Sequence, residues 1–107
     1  MGTINRTARR AGGSNGIDIG DALFTKSRQR VLAVLFGNAE RSFYLNEIIE
    51  LAGIGTGAIQ REVARLERAG LLVVTMVGRQ KHYQANRTAS VFKPLRKLVL
   101  RTFGTAG

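Results

Sequence analysis

The chain has no cysteine. That excludes disulfides, thiolate metal sites and cysteine nucleophiles together, and it suits a reducing cytosol. Acidic residues are scarce, 7 Asp and Glu against 17 Lys and Arg, and His82 is the single histidine. No apolar run approaches the ~20 residues that a membrane-spanning helix needs. The opening "MGTINRTARRAGG" lacks the apolar core of a signal peptide, and Arg6 stands where a myristoylation motif at Gly2 wants Ser or Thr. A P-loop, a Gly-Ser element with paired aspartates and a metal-ligand cluster are all missing from the pattern. The expectation is a cytoplasmic protein that is no enzyme, needs no cofactor or metal, and has no membrane partner.

What remains is basic and foldable. The formal net charge is +10, with a pI near 11.5, which favours a polyanionic partner, nucleic acid ahead of anionic membrane. Apolar residues make up 44% of a 107-residue chain, enough for one small core.

Residues 1–22 show no apolar period and read as a flexible arm, made basic by Arg6, Arg9 and Arg10. Such an arm can track a phosphate backbone or a minor groove, or be no more than a disordered leader. Asp18 and Asp21 fall within it. Order is expected over 23–103, with 104–107 as a short tail. In "TKSRQRVLAVLF" Val31, Leu32, Leu35 and Phe36 share a helical face, Thr25 or Ser27 can cap the start, and Gly37 supplies the stop. "RSFY" reads as a brief strand feeding a second helix, "LNEIIELA", whose Leu45, Ile48, Ile49 and Ala52 repeat at helical spacing. A third helix follows the "GIG" turn. Its stripe of Ile59, Val63 and Leu66 faces inward, Glu62 and Glu67 flank it, and Gly70 closes it.

"LLVVTMV" and "KHYQA", joined by "GRQ", predict a two-stranded hairpin with Arg79 and Lys81 at its tip. "SVFKPLRKLVLRTFG" returns to helical spacing with Pro94 in or just before the first turn. Its apolar side holds Val91, Phe92, Leu95, Leu98, Val99 and Phe103. Lys93, Arg96, Lys97 and Arg101 cover the other side.

The order helix, short strand, helix, turn, helix, hairpin, helix predicts a mainly α domain with a small β hairpin. The segment "FYLNEIIELAGIGTGAIQREVARLERAGLLVVTMVGRQKHYQAN" resembles the winged helix-turn-helix of bacterial and archaeal transcription regulators, the ArsR-like group above all. Its marks are the "V-x-x-L-E-R-A-G-L-L" exit from the third helix and the "G-R-Q-K-H-Y" lead into a strand. A narrower similarity, in "RSFYLNEI" and "FKPLRKLV", is to winged-helix segments that precede nucleotidyltransferase domains. The resemblance implies a three-helix core, a two- to three-stranded wing and an extra C-terminal helix. Metal sensing as in ArsR-like relatives finds no support in a chain without cysteine.

The resemblance also implies a role: sequence-specific binding of double-stranded DNA by a transcriptional regulator. The third helix would enter the major groove. Gly57 and Ala58 would allow close approach, Gln60 would pair with adenine, and Arg61 with guanine. Arg65 and Arg68 would meet phosphates, or pair along the helix with Glu62 or Glu67. Thr56 is the expected N-cap and can bond a phosphate. Arg79, Gln80 and Lys81 would reach the minor groove or the adjoining backbone. The apolar side of the last helix, alone or with helix one, suggests a homodimer presenting two reading helices. Its alternative is packing against helix one within the chain. Two rivals stand beside this reading. One is a winged helix used for protein contacts, as an accessory module of a toxin–antitoxin or nucleotidyltransferase system. The other is an RNA binder, which exposed stacking aromatics would support.

Overall fold

A computed structural model describes residues 19–102. The elements are α1 (Ile19–Leu23), α2 (Lys26–Gly37), β1 (Phe43–Tyr44), α3 (Leu45–Ala52), α4 (Thr56–Arg68), β2 (Leu72–Val77), β3 (Gln80–Ala85) and α5 (Phe92–Thr102). Helices dominate, and the three strands form one antiparallel sheet in the order β1-β3-β2. No helix among the described residues is long and apolar enough to cross a membrane.

Helix α2 is the centre. Thr25 caps it, its Oγ1 accepting the Arg28 N–H at 3.3 Å. Val31, Leu32, Leu35 and Phe36 are wholly or almost wholly buried. The helix stops one residue later than expected. Gly37 is its last residue, and Asn38 is the cap, donating from Nδ2 to the Val34 carbonyl at 2.9 Å. Helices α3 and α4 pack on α2, and so does α5.

The last residues of the expected arm 1–22 belong to the helical turn α1, and residues 1–18 lie outside the described residues. Asp21 is therefore part of the fold. Gln29 donates to Asp21 Oδ1 and to the Phe24 carbonyl, each at 3.0 Å, and Lys26 donates to the same Oδ1 at 3.1 Å. The Gln29 hydrogen bond, then Lys26, holds the Asp21 carboxyl below its ordinary value. Periodicity missed α1 because a single turn has no period to show.

The hairpin connector is two residues, not three. Val77 pairs with Gln80, so Gly78 and Arg79 alone make the turn, and Gln80 is already strand. Gly78 sits at φ +64°, where the first position of a tight hairpin turn favours glycine. Tyr83, paired with Phe43 on one side and Val74 on the other, is buried under the sheet.

Candidate nucleic-acid interface

Helix α4 is held by both ends. At its front, Gly53 ends α3 at φ +73° with its N–H on the Ile49 carbonyl at 3.1 Å. Arg30 Nη1 donates to the Ala52 carbonyl at 2.9 Å, so a side chain from α2 closes the end of α3. The N-cap of α4 is Gly55, and Thr56 is the first helical residue. This corrects the expected Thr56 cap: no side chain caps α4, and its first N–H groups have no intrahelical acceptor. At the rear, Gly70 N–H meets the Glu67 carbonyl and Leu71 N–H the Leu66 carbonyl, each at 3.0 Å. That pair is a Schellman motif, with Gly70 at φ +79°. Asn86 then donates from Nδ2 to the Gly70 carbonyl and from its backbone N–H to the Leu71 carbonyl, both at 2.8 Å. The far end of the hairpin is thereby fastened to the exit of α4.

Ile59, Val63 and Leu66 face the core as the spacing predicts. Thr56, Gly57, Gln60, Arg61, Arg65 and Arg68 are exposed, and Ala58 is half-buried. Arg61 Nη1 lies 3.5 Å from where a Cβ on Gly57 would stand, so the guanidinium leans back over the glycine.

Glu62 departs from its expected place on the flank. It is 8% exposed and belongs to the inner face. Arg28, from α2, grips its carboxylate with Nε at 2.8 Å and Nη2 at 3.2 Å. Arg65 Nε approaches Glu62 Oε1 only to 3.9 Å and stays 61% exposed. A bidentate partner outcompetes an exposed i,i+3 neighbour, which is worth a few tenths of a kcal/mol. The anion that would quench the outer face of α4 is thus drawn inward. Arg61, Arg68, Arg79 and Lys81 form no ion pair among the described residues.

Changing Glu62 to Gln should cost about 1–3 kcal/mol of stability, since Arg28 keeps a half-buried guanidinium with a weaker acceptor. Thermal melting should show the loss. Duplex titration should show no loss of affinity, because the outer cations are unchanged.

On the hairpin, Arg79, Gln80 and Lys81 are all exposed. Gln80 and Lys81 line a groove of about 280 Å³ with Tyr44, Leu45, Asn46 and Tyr83. Exposed Asn46, in the first turn of α3, joins this edge although the apolar period of its helix says nothing of the polar positions; a polar side chain in a first turn just after "RSFY" is the one signal for it. His82 is a strand residue, with its ring 4.0 Å from that of Tyr44 and Nδ1 3.4 Å from Ser42 Oγ. Arg41 is spent on Glu47 at 2.8 Å and on the face of Phe43 at 4.3 Å.

The apolar side of α5 is used largely within the chain. Val99 has no exposed surface, Phe92 and Leu95 pack against the core, and the Phe92 and Phe36 rings are 5.8 Å apart. Leu98 is half-buried and Val91 exposed. Phe103 lies outside the described residues. Part of the face expected to serve a dimer thus packs on α2, where Phe36 meets Phe92.

Comparison with known proteins finds no matching family model, no similar curated protein and no similar solved structure.

Proposed function

We propose that the chain is a winged helix-turn-helix transcriptional regulator that binds double-stranded DNA, as its resemblance to ArsR-like regulators implies. Helices α3 and α4 form the helix-turn-helix, and β1 with the β2–β3 hairpin forms the wing. The observation that carries the reading is the outer face of α4: exposed Gln60, Arg61, Arg65 and Arg68, with Glu62 turned inward to Arg28. A solvated helix face ordinarily mixes charges and neutralises itself. This one turns Glu62 to Arg28, keeps Glu67 half-buried, and leaves donors outside, which suits guanine and adenine edges and phosphates.

Gln60 and Arg61 read bases. Arg65 and Arg68 take phosphates, and Thr56 and the uncapped N–H groups of α4 bond another. Arg79, Gln80 and Lys81 on the wing reach the adjoining backbone or minor groove, with Asn46 beside them. RNA recognition by stacking draws less support, because Phe36, Phe43 and Tyr83 are buried. A homodimer on a two-fold site through the last helix would use the exposed Val91 and Leu100, with Ile19 and Leu23 of α1.

Selection from a random-sequence duplex pool tests this reading. The protein is expected to enrich a short motif containing guanine, and Arg61→Ala to flatten preference at one position at a cost of about 1–3 kcal/mol. A pool that emerges unenriched would refute sequence-specific recognition.

A further inference from the structure

The DNA-reading face leaves the basic side of α5 without a role. No acidic residue follows Glu67 in the sequence, whereas eight Lys and Arg do. Four of them are on α5. At 100° per residue, Lys93, Arg96, Lys97 and Arg101 fall within roughly 140° of one another, opposite the Phe92, Leu95 and Val99 side that packs on the core. Lys93, Lys97 and Arg101 are exposed. Arg96 is half-buried, and its Nε lacks a hydrogen-bond partner. None of the four has an acidic partner among the described residues, where the ion pairs draw on Asp21, Glu47 and Glu62. Four like charges on one helix face repel one another, and an anion relieves that repulsion.

The position of α5 decides what kind of anion site this is. The main neighbours of α5 are α2 and α1, and those of α4 are α2, α3 and β2. Both helices pack on α2, and neither is a main neighbour of the other. The α5 charges, on the side turned from that packing, form a patch apart from the outer face of α4.

We propose that α5 carries a second site for double-stranded DNA, so that one chain bridges two duplexes; the proposal rests on the DNA-binding reading above. Lys93, Lys97 and Arg101 stand at i, i+4 and i+8, about 6 Å apart along the axis. That matches every second phosphate of a strand, at ~3.4 Å of duplex per phosphate. Among the described residues the face has no exposed aromatic ring to stack unpaired bases, so it fits the regular backbone of a duplex better than a single strand.

The test couples two measurements on the full chain: anisotropy titration of one labelled duplex, and capture of that duplex by a second, bead-bound duplex. Wild type should bind the single duplex and carry it to the beads. K93A/K97A/R101A should lose capture at least tenfold, keep single-duplex affinity within threefold and melt at an unchanged temperature. Undiminished capture by the variant overturns the proposal, since a homodimer of one-site chains would bridge in that way. A single-duplex affinity that falls as far as capture overturns it too, because α5 would then belong to one continuous footprint. Wild type that binds a single duplex without capture refutes the second site alone. Wild type that binds no duplex refutes the first reading as well.

Discussion

Phe36→Ala should unfold much of the population near body temperature. Phe36 is fully buried at the end of α2, and its ring packs on Phe92 of α5. Truncating such a residue removes its transfer free energy and leaves a cavity, together about 3–5 kcal/mol. A small domain has about 5–15 kcal/mol in all, so the loss is a large fraction. At about 4–8 °C per kcal/mol for a domain of this size, the melting midpoint should fall by roughly 15 °C or more. The same substitution at exposed Leu51 should stay within about 0.5 kcal/mol, which separates core packing from a general effect of lost apolar surface. The variant also tests how α5 is used. If α5 left α2 to serve a partner, Phe36 would lose less than a core residue should.

The second large effect concerns binding and leaves the fold intact. R61A/R65A/R79A/K81A removes four exposed side chains, none of them in the core cluster. At ~1.5 kcal/mol or more per charge-assisted contact and 1.4 kcal/mol per tenfold, duplex affinity should fall by roughly ten-thousandfold or more. The melting midpoint should hold. A fall in both would mean that the four side chains support the fold.

Much of the fold was legible because its signals are local. The stripe Ile59, Val63 and Leu66, the glycines at 53 and 70, and the change of period at Leu72 each report on a few neighbouring residues. The outer side chains of α4 followed once the inner ones were placed. Illegible features depend on partners far along the chain. Glu62 looks like a flank residue until Arg28, 34 positions away, is seen to hold it. Arg30 looks solvated, yet it closes the end of α3. The packing of Phe92 on Phe36 joins residues more than fifty positions apart, which no local period shows. Residue type favours Thr56 as the cap, whereas the turn places Gly55 there.

The central claim is that α4 and the wing together grip the phosphates and bases of a duplex. The salt dependence of the duplex affinity tests it most directly, measured for wild type and for R61A/R65A/R79A/K81A between about 50 and 200 mM salt. Each phosphate contact contributes about 0.9 to the slope of log K against log salt. Wild type, with about four cation–phosphate contacts from Arg65, Arg68, Arg79 and Lys81, should give a slope near −3.6, and the variant one shallower by about 2.7. A slope near zero in wild type, or the same slope in both proteins, would contradict the account.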